Sequence, residues 1–179
     1  MKAVEERAER VLAAVPPYVW NGTEPPVPID DIASTYYGLL VRDVDDLTLA
    51  PGCPRLDEDE TLSGLLLAAR GEIWVNAAEA REWPRRRRFT IGHELGHWVM
   101  HRDHERTVFC RSKTVQPEED PDEDAPDIEE EASAFAAALL MPAELLRREY
   151  ERNRDFEHLC TLFNASGAAM GRRLHAVIE

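Results

Sequence analysis

His93 and His97 stand four residues apart, with Glu94 directly after the first, in the run Phe89-Thr90-Ile91-Gly92-His93-Glu94-Leu95-Gly96-His97. On a helix of 3.6 residues per turn, positions i and i+4 share a face, so both imidazoles can meet one ion. The carboxylate of Glu94 can then reach a water held by that ion. Zinc suits such a set, because a catalytic zinc takes three protein ligands and leaves a fourth position for water. Zinc lowers the pKa of that water from 15.7 to about 7, and Glu94 as the catalytic base can accept its proton and pass it to a leaving amine. The chemistry this spacing points to is metal-assisted hydrolysis of an amide. The same short pattern also arises on surface helices that hold no metal, so its surroundings matter. Leu95 and Val99 place the histidines in a largely apolar, buried helix. Gly92 and Gly96 each cost roughly 1 kcal/mol against alanine in a helix interior, a cost that makes sense where a second backbone packs close.

A third ligand must come from elsewhere, and two sources present themselves. One lies just downstream. Asp103 sits six residues beyond His97, but Met100 occupies the position where that arrangement needs a glycine to turn the chain. His101 and His104 are also near, although His101 lies a further helical turn along, about 6 Å up the axis. The other source is Glu129-Glu130-Glu131, the only glutamates that open an apolar helix. Glu131 is the best placed of these, four residues before Phe135 and on the same buried face, with Glu130 second. All three would also suit the positive end of a helix without touching metal.

The elements that must position these groups can be read along the 179 residues. That length supports one domain with a proper core, residues 1–179. Val4, Ala8, Val11, Leu12 and Val15 mark an amphipathic helix over residues 2–15. Asp30 to Tyr37 reads as a helix closed by Gly38, and Leu39 to Arg42 as a strand. Leu62 to Ala69 and Glu72 to Asn76 read as a hairpin turning at Arg70-Gly71. The second of these strands is expected to be an edge that takes substrate as an added strand. Pro84 opens the long helix, which runs to about His101. Residues 111–127 form an acidic, proline-containing insertion, expected to be a surface loop. Ile128 to Leu140, Pro142 to Arg152, Asp155 to Phe163 and Ser166 to Val177 read as helices, the last capped by Ser166.

Composition excludes several classes. No apolar run approaches the roughly 20 residues of a membrane span. The N-terminus is charged and lacks a signal-peptide core, so a cytoplasmic location is expected. Cys53, Cys110 and Cys160 are odd in number and far apart, which indicates no disulfide framework. A net charge of -14 argues against general nucleic-acid affinity. The arginines at 81 and 85–88 invite that reading, but their acidic surroundings favour an ion-paired helix start.

Three stretches together resemble the ImmA/IrrE family of zinc metallopeptidases: Ile73-Trp74-Val75-Asn76, Arg88 to His97, and Glu131-Ala132-Ser133-Ala134-Phe135-Ala136-Ala137-Ala138-Leu139-Leu140-Met141-Pro142. The resemblance covers roughly residues 28–150. It implies an α+β, zincin-like fold, with a small antiparallel or mixed sheet packed on the long HExxH helix and further helices at the C-terminus. It also implies zinc on His93, His97 and Glu131, with Glu94 as base, and a protein substrate such as a helix-turn-helix repressor of stress or mobile-element genes. The acidic insertion is longer than the resemblance leads one to expect. A non-cutting zinc sensor or interaction module is the alternative. A DNA-binding regulator is the third reading, with Asp155 to Val177 imitating a helix-turn-helix and Arg172-Arg173 facing phosphate. Tyr36, Tyr37 and His104 are the candidates for stabilising an oxyanion.

Overall fold

The computed structural model describes residues 2–53, 55–56, 61–102, 108–112 and 128–178. Asp103, His104 and residues 113–127 of the acidic insertion lie outside them, while Arg111 and Ser112, read as the start of that insertion, end a strand. The apolar positions read at helical spacing in the first residues are buried along one side of α1 (Lys2–Ala14): Val4, Ala8 and Val11. A short helix, α2 (Ile29–Asp31), widens into a π-helical turn over Ile32–Tyr36, where Ile32 and Ala33 are buried. Gly38 follows at φ +69°, the left-handed conformation that ends helices. The chain then runs through β1 (Leu40–Val44), β2 (Leu62–Leu67), β3 (Glu72–Asn76), α3 (Ala77–Glu82), α4 (Pro84–Met100), β4 (Val108–Ser112), α5 (Ile128–Leu140), α6 (Ala143–Arg152), α7 (Phe156–Leu162) and α8 (Gly167–Ile178). The proline at the start of α4 and the Ser166 side chain, which accepts from the Ala169 N–H at 3.3 Å, are the signals read from sequence.

The strands form one mixed sheet in the order β1-β3-β2-β4. β3 lies parallel to β1 and antiparallel to β2, and β4 is antiparallel to β2. The architecture is therefore α+β. The expectation that Ile73 to Asn76 would be an edge is overturned, because β3 has a neighbour on each side. Its Ile73, Trp74 and Val75 are buried on both faces, the continuous apolar run of an interior strand. β2 behaves the same way. Leu66 joins Ile73 and Val75 under the helices, while Leu62, Leu65 and Leu67 join Trp74 beneath Leu47 and Ala50.

α4 is wedged between the sheet and α5, and small residues set both spacings. On the sheet side, a Cβ added to Gly64 would meet the Thr90 methyl at 2.4 Å and the Trp74 carbonyl at 3.1 Å. On the other side, a Cβ on Gly96 would sit 3.1 Å from the backbone of Ala132 and 3.2 Å from Phe135. Gly92 faces Ala136 and Leu140. Position numbers rise along α4 as they fall along α5, so the two helices are antiparallel.

The arginine run ties the start of α4 to the rest of the fold. Arg87 pairs with Asp30 at 2.7 Å and Asp43 at 2.9 Å, Arg86 with Glu79 at 3.1 Å, and Arg88 donates to the Val27 carbonyl at 2.7 Å. Arg173, which the helix-turn-helix reading turned toward phosphate, is buried instead. It donates to the Met141 carbonyl at 2.9 Å and to both oxygens of Glu5, joining α1, α5 and α8.

Two measurements follow. Gly96→Ala gains about 1 kcal/mol of helix propensity but overpacks against a backbone, which costs about 1–3 kcal/mol. A net fall in melting temperature is expected, larger than for Gly92→Ala. The second concerns Glu72, whose carboxyl is held below the usual range by the Trp74 indole N–H at 2.7 Å, with Arg70 adding to the effect against the cost of burial. A depressed folded pKa contributes stability above the unfolded value that is lost as pH falls through the folded one. Urea midpoints of wild type and Glu72→Gln should therefore differ most at neutral pH and converge in acid.

Candidate metal centre

The HExxH segment is buried on every side, with Thr90 to His97 enclosed between the sheet and α5. Helical geometry brings the two imidazoles together as the spacing requires. The Nε2 atoms of His93 and His97 are 3.1 Å apart. The carboxylate that meets them belongs to Glu129, with Oε2 3.0 Å from His93 Nε2 and Oε1 3.3 Å from His97 Nε2. These three residues form a cluster able to hold a metal ion, each offering one ligand atom.

The residues fit zinc on two counts. First, ligand atoms about 2.1 Å from a tetrahedral ion stand roughly 3.4 Å from one another, close to the separations seen here. Second, two imidazoles and a carboxylate are a catalytic zinc set that leaves one position open. An ion at this point needs the lone pair of each Nε2, hence a proton on each Nδ1. An acceptor stands at both: Ser133 Oγ lies 3.1 Å from His93 Nδ1, and His101 Nδ1 lies 3.2 Å from His97 Nδ1. Burial pushes the Glu129 carboxyl up, but hydrogen bonds and charge from His93 and His97 outweigh it and hold the group at about 2.

Glu131, chosen from sequence as the third ligand, is placed elsewhere. Its Oε2 meets His101 Nε2 at 2.9 Å, and the glutamate that faces both His93 and His97 is Glu129. The reason is helical register. The side of α5 turned to α4 carries Ala132, Ala136 and Leu140 against the two glycines, and Ser133 against His93. Glu129 is one turn before Ser133 on that stripe. Phe135, used as the guide to the buried face, is buried but does not mark the side that faces His93 and His97. The small residues opposite Gly92 and Gly96 were the signal that would have selected Glu129. Glu130, the second choice, lines a cavity of about 600 Å³ shared by α1, α5 and α8.

Glu94 is fully buried. A Cβ on Gly64 would come within 3.5 Å of its Oε1, so the Glu94 carboxylate lies against β2. Tyr36 and Tyr37 pack edge to face at 4.8 Å. Burial pushes the Tyr37 hydroxyl up to about 12, with Tyr36 adding to the effect and Arg7 and Arg102 opposing it.

Two buried histidines and a carboxylate gathered around one point are a set that could hold a metal ion. The family model described as Peptidase_M78, IrrE N-terminal-like domain, matches residues 56–175, and the chain belongs to that family. Membership implies a metallopeptidase acting on a protein substrate. No curated protein matches the chain. No helix among the described residues is long and apolar enough to cross a membrane.

Zinc titration by chelator competition tests the ligand assignment. Glu129→Ala is expected to weaken zinc binding by about a hundredfold or more, while Glu130→Ala leaves it unchanged.

Proposed function

We propose that the chain is a zinc-dependent endopeptidase with a zincin-like fold, in which His93, His97 and Glu129 hold the metal and Glu94 is the catalytic base. The observation that carries this reading is the triangle of two Nε2 atoms and a carboxylate, 3.0 to 3.3 Å on a side, beside a buried glutamate. When bound, zinc polarises the scissile carbonyl and makes an attacking water acidic enough to ionise near neutral pH.

The chain's own residues do the rest. Glu94 takes the proton of the attacking water on one carboxylate oxygen and delivers it to the nitrogen of the leaving amine. Its enclosure between α4 and β2 keeps bulk water away, which strengthens each charge interaction there. Ser133 and His101 hold the two imidazole rings in place. A substrate chain in extended conformation would be taken as an added strand. Among the described residues the sheet edge on the side of β2 is β4, so β4 replaces β3 in that role.

The substrate we propose is a helix-turn-helix repressor, the class implied by the ImmA/IrrE resemblance, cut in a stress or mobile-element response in the cytoplasm. The test is incubation of zinc-loaded protein with the helix-turn-helix repressor encoded beside its gene. One discrete cut is expected from the wild type. Glu94→Gln should keep its zinc and lose about 10²- to 10⁴-fold in rate. Zinc bound by both proteins with no cut from either would instead favour a non-cutting zinc sensor.

A further inference from the structure

We infer that Glu131 and His101 form a relay that fixes the proton on His97 and so aims its Nε2 lone pair at the metal. The inference rests on the proposed metal site and adds two positioning residues to it. Three contacts in line carry it. Glu131 Oε2 lies 2.9 Å from His101 Nε2, His101 Nδ1 lies 3.2 Å from His97 Nδ1, and His97 Nε2 faces Glu129 and His93.

The logic follows from which atoms can donate. A carboxylate only accepts hydrogen bonds. His101 must then carry its proton on Nε2 and give it to Glu131, which leaves Nδ1 of a neutral His101 as an acceptor. His97 fills that acceptor with its own Nδ1–H. With a metal at the site in place of the Glu129 contact, His97 keeps its proton on Nδ1, directed at His101, and offers its Nε2 lone pair to the ion. One carboxylate thus sets the tautomer of two histidines in series. The partner of a metal-bound imidazole commonly fixes its tautomer and orientation; here the carboxylate does so through an intervening ring.

The two ligand histidines differ in this respect. Ser133, on His93, has a hydroxyl that can rotate to donate or accept, so it holds that ring without dictating its proton. Through Nδ1, His97 is linked by way of His101 to a carboxylate, whereas His93 meets the Ser133 hydroxyl. His101 is suited to the task by its position. It is buried at the end of α4, its N–H bonded to the His97 carbonyl at 2.8 Å, one helical turn above the ring it serves. Glu131 comes from α5, so the relay crosses the same helix pair as the Glu129 ligand.

The test is zinc affinity by competition with a chromophoric chelator at one pH, with cobalt(II) spectra of the same proteins. His101→Phe is expected to weaken zinc about 10- to 100-fold and Glu131→Ala about 10-fold. His101→Phe should also shift the cobalt visible bands, because the His97 ring is no longer held. Glu131→Gln keeps an accepting oxygen and should recover most of the affinity. Because the two residues act in series, the double variant should bind no more weakly than His101→Phe alone. Glu131 is partly exposed, and an unchanged melting temperature of metal-free Glu131→Ala shows that affinity is lost without loss of fold. If His101→Phe binds zinc as tightly as wild type with the same cobalt spectrum, or if the two losses add, the relay is wrong while the metal site stands. A wild type that binds no zinc overturns both.

Discussion

The near contact of α4 and α5 governs the geometry of everything else. Gly96 lets the backbone of Ala132 come within the distance a Cβ would need, and at that separation a glutamate one turn before Ser133 reaches two imidazoles on the facing helix. Moving α5 outward by the width of a methyl group would carry Glu129 and Glu131 away from His97 and His101 together. The glycines are poor helix formers, and their place in a buried helix is explained by what the close approach allows. Gly64 does the same on the sheet side, where β2 lies against Thr90 and the Glu94 carboxylate.

Much of this was legible in the residues, and the misses have physical causes. The HExxH spacing specifies its own geometry, because two histidines one helical turn apart share a face whatever surrounds them. The helix boundaries at Pro84, Gly38 and Ser166 were readable because each of those residues changes which backbone groups can be satisfied. The third ligand was not settled by the same reasoning. Glu129, Glu130 and Glu131 begin one helix, and choosing among them needs the rotation of that helix about its axis, which only the partner helix defines. The nearest large apolar residue, Phe135, was a worse guide than the small residues, since a close helix contact is made where side chains are smallest. Strand order was hidden for a related reason. Ile73 to Asn76 reads as a strand from its residue types, but its place inside the sheet depends on β1 and β2 pairing with it from either side.

Charge has opposite uses at the two ends of α4. At the start, Arg86, Arg87 and Arg88 reach outward to Glu79, Asp30, Asp43 and the Val27 carbonyl, tying the helix to segments that come before it in the chain. At the other end the partners are the His93, His97 and His101 imidazoles, and the carboxylates that meet them come from α5, which follows it. The arginine ion pairs of this acidic protein tether helices, several of them at the start of the helix that carries His93 and His97. Arg173 repeats the arrangement across α1, α5 and α8.

The chain between Ser112 and Ile128 leaves an ordered strand and enters the helix that carries Glu129 and Glu131. The elements on either side are held by contacts of their own: β4 by its ladder with β2, and α5 by its packing on α4. The entropy of closing such a connection grows only with the logarithm of its length, about 0.6 kcal/mol for each doubling. The cluster of His93, His97 and Glu129 is therefore set by the helix pair, and the length of that connection costs little. A longer or shorter connection there leaves the spacing of His93, His97 and Glu129 to the packing of α4 on α5.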